Sequence, residues 1–218
     1  MKKKILILTK SNKHNARCVV GIDIETKELI RLVTNNPAIH YSVEDTFLTY
    51  ENGNSVNLFH IVEVSFIGKQ NNIHQPENWI IDDKIKLKKV EFSDDEKLNI
   101  IKNCIESCVS QEEYIYLDTR EFLTKDDFEK VNKSIALFYI QNVKFNIYQT
   151  PFSPKPKTKV SFEYNNRNYD NFSFTSDIST FKDCKNALAV ITLPDGKDKF
   201  CIEQNKYYKF VAQIYNKK

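Results

Sequence analysis

At 218 residues the chain has room for one large domain or two small ones, and 41% apolar content is enough to build real cores. Four glycines and six prolines exclude a linker-dominated or disordered chain. A net charge of +3 and a pI of about 8.4 fall short of a dedicated duplex-DNA binder. The five cysteines, odd in number and widely scattered, argue against a disulfide framework. The start, Met1 to Thr9, is basic and then apolar, but the apolar run stops at Leu8, too early for a signal peptide. No stretch approaches the roughly 20 apolar residues of a membrane span. The expected compartment is therefore the cytoplasm, with no membrane partner.

In chain order, Ile5–Thr9 reads as a strand and Lys10–Ala16 as a polar loop. Arg17–Glu25 alternates with period two, and Glu28–Val33 returns as a third strand. Leu58–Ile67 is another strand, and Gly68–Trp79, with Pro76, a loop. Lys84–Lys88 alternates strictly into Val90 and Phe92, which predicts the closing strand of a first domain. Ser93-Asp94-Asp95-Glu96 fits a capping box, and Leu98, Ile101, Ile105 and Cys108 follow at helical spacing. Thr124 caps a second predicted helix with the stripe Phe128, Val131, Ile135 and Phe138, and Tyr114–Leu117 between the two helices reads as a short strand.

Thereafter the pattern returns to β. Val143, Phe145 and Ile147 alternate, and Pro151, Pro154 and Pro156 flank a stiff basic loop. Val160–Tyr164, Tyr169–Phe174, Ala187–Leu193, Phe200–Ile202 and Tyr207–Tyr215 read as strands. Strands that come in runs joined by turns favour antiparallel barrels over a doubly wound sheet. The fold class is mainly β (α+β).

Three stretches near the start resemble the opening of the dual OB-fold domain family, a bacterial group. They are Ile5–Lys13, Arg17–Asp23 and Ile30–Val33. Gln75-Pro76-Glu77-Asn78-Trp79 and Tyr208-Lys209-Phe210-Val211-Ala212 resemble that family's signature stretches. The resemblance implies two OB-like antiparallel β-barrels, over residues 1–92 and 142–218, with an inserted or bridging helical segment over 93–141. It does not imply a settled activity. An OB barrel has one exposed sheet face and variable loops, where aromatics stack bases and cations neutralise phosphates.

Two groups of candidate ligand-binding residues follow. Lys10, Ser11, Lys13, His14 and Arg17 concentrate cations, a hydroxyl and an imidazole between two strands, and Arg31 joins them if it faces the same way. The competing reading is a solvated basic loop. Gln75, Glu77, Asn78 and Trp79 place the lone tryptophan amid groups able to read a base or sugar, with Trp79 either a stacking platform or a core plug. The lysines at 84, 86, 88, 89, 155, 157 and 159 suit protected edge strands better than a polyanion track. Phe162, Tyr164, Tyr169, Phe172 and Phe174 suit a barrel core better than a stacking face.

Cys104 and Cys108, one helical turn apart without further ligands, read as small core residues, and no metal or cofactor is expected. No Walker loop, dinucleotide turn or nucleophile elbow is present. The resulting expectation is a non-enzymatic module for single-stranded nucleic acid or a nucleotide-like phosphate ligand. The alternatives are a protein-interaction module, with a protein partner, and a small enzyme acting on nucleotides or nucleic acid, for which Cys18 is the candidate nucleophile.

Overall fold

The computed structural model describes residues 1–13, 15–110, 118–151, 153–176, 181–197 and 199–216, and it divides into two units, Met1–Cys108 and Val109–Lys218.

The first unit is built on strands β1 (Lys2–Lys13), β2 (Ala16–Asp23), β3 (Leu29–Val33), β4 (Ile61–Lys69) and β5 (Asn78–Ile81). β1 pairs antiparallel with both β2 and β4, and β2 with β3. β4 pairs antiparallel with β5, while β3 and β5 run parallel. The sheet therefore closes as the ring β1-β2-β3-β5-β4. Ile5, Ile7, Val19, Ile30, Leu32, Val62 and Val64 fill it. Closure depends on Gly21, because a Cβ there would sit 2.4 Å from Ile5 Cγ2 and 2.6 Å from the Leu6 carbonyl oxygen. The connection from β3 to β4 sends Val43, Phe47, Leu48, Tyr50 and Val56 into the same core.

Three expectations for this unit are corrected. The polar stretch Lys10–Lys13 is not a loop but the end of β1, in register with β2 from Lys10↔Val19 to Lys13↔Ala16. Its alternate residues Thr9 and Ser11 are buried, so period two continues with polar side chains. The closing strand is β5, whose first two residues, Asn78 and Trp79, lie in the stretch read as a loop. Residues buried on both faces show no alternation, and Asn78-Trp79-Ile80-Ile81 has none. The alternating lysine stretch contributes only β6 (Lys88–Lys89), paired with the first half of β4, while Leu87 anchors it in the core.

Helix α1 (Asp94–Cys108) starts with the expected capping box: the Ser93 N–H donates to Glu96 Oε2 at 3.0 Å and the Glu96 N–H to Ser93 Oγ at 3.4 Å. Its buried side is turned from the predicted stripe, with Leu98 64% exposed and Cys104 fully buried. The two cysteines grip the β2–β3 turn: Cys108 Sγ donates to the Lys27 carbonyl at 3.0 Å, and Lys27 Nζ lies 3.5 Å from Cys104 Sγ.

The second unit carries β7 (Phe122–Leu123), α2 (Lys125–Phe128), β8 (Ile135–Thr150), β9 (Ser153–Tyr164), β10 (Arg167–Phe174), β11 (Cys184–Thr192), α3 (Lys199–Gln204), β12 (Tyr207–Tyr208) and β13 (Phe210–Asn216). Its barrel closes as β10-β13-β11-β8-β9, with β10 and β13 parallel. Taking β8, β9, β10, β11 and β13 as strands one to five, the ring runs one-two-three-five-four, and the third and fifth strands are the parallel pair. The first barrel has the same ring and the same parallel pair. Two OB-like barrels of one topology are thus present, as the resemblance implied.

The predicted second helix ends early. Thr124 caps it, but it stops at Phe128 and β8 begins at Ile135. Ile135, Ala136, Leu137 and Phe138 are buried on both faces of a strand, and periodicity does not separate such a run from a helix. The helical stretch 93–141 is accordingly divided, with α1 in the first unit and α2 and the start of β8 in the second. The predicted short strand Tyr114–Leu117 lies outside the described residues. The Pro-Lys loop is instead the start of β9, paired with β8 from Thr150↔Ser153 onward. The aromatic series Phe162, Tyr169, Phe172 and Phe174 forms the core, with Phe162 and Tyr169 stacked at 5.1 Å and Tyr164 packed against it.

Candidate functional site

The first predicted group lies at the β1–β2 hairpin, and its cations are engaged by the protein. Arg17 Nε donates to Asp45 Oδ1 at 2.9 Å and Nη2 to Asp45 Oδ2 at 3.3 Å, while Nη1 donates to Asn12 Oδ1 at 2.7 Å. Lys13 Nζ donates to the His40 carbonyl at 2.9 Å, and Lys10 Nζ to the Val56 carbonyl. Ser11 is buried at 3% exposure, and His14 lies outside the described residues.

Arg31 belongs to the other group instead. Its backbone N–H donates to the Glu77 carbonyl at 2.8 Å, and Nη1 donates to Asn78 Oδ1 at 3.2 Å. Asn78 Nδ2 in turn donates to Gln70 Oε1 at 2.7 Å and to Gln75 Oε1 at 3.0 Å. Arg31, Gln75, Glu77 and Asn78 are all buried, so this is an internal polar network at the start of β5. The registers Val19↔Leu32 and Arg31↔Asn78 put the loop before β5 at the end of the barrel opposite the hairpin tip. The two predicted groups therefore do not form one site. Trp79 is a core plug: it packs edge-on to Phe66, with Lys3 Nζ 4.7 Å and Lys69 Nζ 5.3 Å from its ring centre. Lys3 is itself held by Asp23 at 2.5 Å.

A cleft of about 610 Å³ opens elsewhere on the first barrel, lined by Tyr50, Asn54, Asn57, His60, Lys88 and Lys89 among others. Tyr50 and His60 stack with ring centres 6.0 Å apart and planes 22° apart. The Asn57 N–H donates to His60 Nδ1 at 3.2 Å, and the Tyr50 hydroxyl lies 2.9 Å from the same nitrogen. An amide can only donate, so Nδ1 is the accepting nitrogen and the neutral ring carries its proton on Nε2. The tight turn before β4 fixes this arrangement. Phe59 has φ +60°, in the left-handed region where a bulky residue is strained. It is held there by its N–H to the Ile7 carbonyl at 2.8 Å, while the Ile7 N–H reaches the His60 carbonyl at 2.9 Å.

Burial lowers the His60 pKa, as do the charges of Lys89, Lys97 and Lys10, while Glu91 opposes them. Burial and Glu91 push Tyr50 up to about 12. Among the described residues of the two predicted groups, Lys10 enters this electrostatic surround. Tyr50 and His60 lie ten positions apart across a turn and carry no motif. The Asn52-Gly53 turn dipeptide between them was the available signal.

The family model of the dual OB-containing domain matches residues 3–214. The chain belongs to the dual OB-containing family. No curated protein matches it. A solved structure of a murine DNA-binding protein bound with double-stranded DNA is similar at 8% identity over 100% of both chains, with a TM-score of 0.35, too distant to bear on function.

In the second barrel of the dual OB chain, the strand-two and strand-three face carries Lys159, whose Nζ donates to Glu121 Oε2 at 2.7 Å and Ser173 Oγ at 3.1 Å. Beside it lies Lys209, which sequence reasoning passed over inside a quoted stretch, although a lone lysine between apolar strand residues was the signal. It is 1% exposed, its Nζ donates to the Asp118 carbonyl at 2.6 Å, and it lies 5.7 Å from the Phe172 ring centre. Burial pushes its pKa down to about 8, against the attraction of Asp118 and Asp127.

Proposed function

We infer that this dual OB chain is a non-enzymatic binding module for single-stranded nucleic acid or a nucleotide-like phosphate ligand, and that the Tyr50–His60 cleft receives it. The observation that carries this reading is a cleft in which the half-buried His60 ring, backed by the buried Tyr50, sits beside Lys88, Lys89 and three asparagines, Asn52, Asn54 and Asn57. Flat rings stack on bases, ammonium groups neutralise phosphate, and amides read base or sugar edges. OB barrels bind oligomers through open faces and loops, which supports the class of ligand by analogy. The hairpin cations Arg17, Lys13 and Lys10 all have protein acceptors, and of the two cleft lysines Lys89 is paired with Glu91 at 2.7 Å.

A second reading, a protein-interaction module, is favoured by a different observation. On α3, Phe200 and Ile202 are 59% and 55% exposed.

Fluorescence-polarisation titration with 3′-labelled single-stranded DNA and RNA tests the first reading. Binding should weaken with salt, and Lys88→Ala/Lys89→Ala should weaken it by about tenfold, with little sequence preference. Salt-insensitive binding, or none at low salt, overturns the reading. A stable protein partner lost on Phe200→Ser/Ile202→Ser, without polyanion affinity, would establish the second.

A further inference from the structure

We propose that the outer face of the β7–β12 sheet, continued by Phe200 of α3, is a stacking site for an unpaired nucleobase of single-stranded nucleic acid. This rests on the ligand class inferred above and adds a separate site on the second unit.

Neighbouring residues of a strand point to opposite faces. In these two short strands Leu123 and Tyr207 turn inward and are buried, and Tyr207 stacks on Phe128 with ring centres 4.0 Å apart. Their neighbours Phe122 and Tyr208, paired across the sheet, turn outward. A strand position that faces water is ordinarily polar, yet both of these are aromatic. Tyr208 meets Phe122 edge-on at 6.0 Å, and it meets Phe200 at 6.2 Å with the planes 24° apart. The result is a row of three rings outside the five-strand ring of the barrel. Buried Cys201 ties α3 to the core, which holds Phe200 in the row. Among the described residues the exposed rings are Phe200 and Tyr139, and Phe200 is the more open.

A flat ligand that carries negative charge fits this row. An open ring accepts any base, because every base has a π face. Lys206 holds its ammonium 4.8 Å from the Phe122 ring centre, and no carboxylate among the described residues pairs with it. That ammonium is therefore available to a backbone phosphate. The other cations of the row are engaged: Arg120 is bonded to Asp118 and Asp127, and Lys199 stands 3.7 Å from Glu203. A broad protein footprint fits less well. Residues two apart on a helix lie about 200° apart around its axis, so Phe200 and Ile202 leave α3 on different flanks and make no single patch.

The test uses the full chain with Phe200→Trp, because the chain's own tryptophan, Trp79, is buried in the first barrel. A base stacked on the new ring quenches its fluorescence. Oligothymidylate at low salt should therefore quench it, and an abasic strand of equal length and charge should not. By polarisation, Phe200→Ala should weaken oligothymidylate binding at least about fivefold. Phe200→Leu, which keeps apolar volume without the ring, should weaken it nearly as much, and Phe200→Trp should bind like wild type. Phe200 is exposed, so these variants keep the fold. If both strands quench alike, or if Phe200→Ala binds like wild type while Lys88→Ala/Lys89→Ala binds weakly, the stacking site is wrong and the nucleic-acid reading of the cleft survives. If no strand binds at low salt, both fall. A protein partner lost with Phe200→Ala but kept with Phe200→Leu, without quenching by bases, overturns the proposal and gives the row to protein docking.

Discussion

Lys209 shows how one buried charge sets a pH dependence. Its folded pKa of about 8 lies below the ordinary 10.5. Between those values the unfolded chain holds a proton that the folded chain does not, so stability rises as pH rises through that window. The burial cost is complete below pH 8 and is worth roughly 3 kcal/mol, taken from the size of the shift. Chemical denaturation at pH 7.5 and pH 10 should show this rise, and Lys209→Met, which keeps the packed stem over Phe172, should remove it. A Lys209→Met chain with an undiminished rise would disprove the assignment. Arg17 makes the opposite case. It is bonded to Asp45, which is 69% exposed, so Arg17→Ala should cost about 0.5–1 kcal/mol of stability. Its affinity for oligonucleotide should stay within about twofold of wild type, below the effect of a phosphate contact.

Among the elements, β2 tolerates little change at Gly21, which lies against β1. Gly21→Ala would drive a methyl group into the Leu6 carbonyl at 2.6 Å, and backbone cannot yield as a side-chain end can. Thermal unfolding should show a loss of about 1–3 kcal/mol or more, and an unchanged melting temperature would mean that the strands can part there without cost. The elements also show where sequence reasoning works. β2, β3 and α1 were legible because alternation and the capping box are local signals. β5 and the first residues of β8 were not, because strands buried on both faces lose their period. The Lys10–Lys13 end of β1 was hidden by composition, since polar side chains there still alternate between faces.

For the whole molecule, family and architecture were legible together, because the resembling stretches supply β1 to β3, the start of β5 and the join of β12 and β13. The site was legible only in fragments. Sequence reasoning joined Arg31 to the hairpin cations only if it faced the same way, and the structure puts it instead in the Asn78 network, whose loop lies at the opposite end of the barrel. The cleft residues come from the long β3–β4 connection and from β6, and only closure of the barrel brings Tyr50, His60 and Lys89 to one wall. Two barrels with the same ring thus carry different polar surrounds. In the first, Lys88 and Lys89 line an open cleft, with Lys89 paired to Glu91 at 2.7 Å; in the second, Lys159 is matched by Glu121 and Ser173.

The reading proposed for the cleft puts oligonucleotide on the first barrel, and chemical-shift mapping tests that proposal most directly. A labelled chain titrated with single-stranded oligonucleotide at low salt should show its largest amide changes at Tyr50–His60 and Lys88–Glu91, reversed by added salt. Changes centred on the Lys159 face of the second barrel, or at the Lys10–Arg17 hairpin with the cleft untouched, would contradict the account.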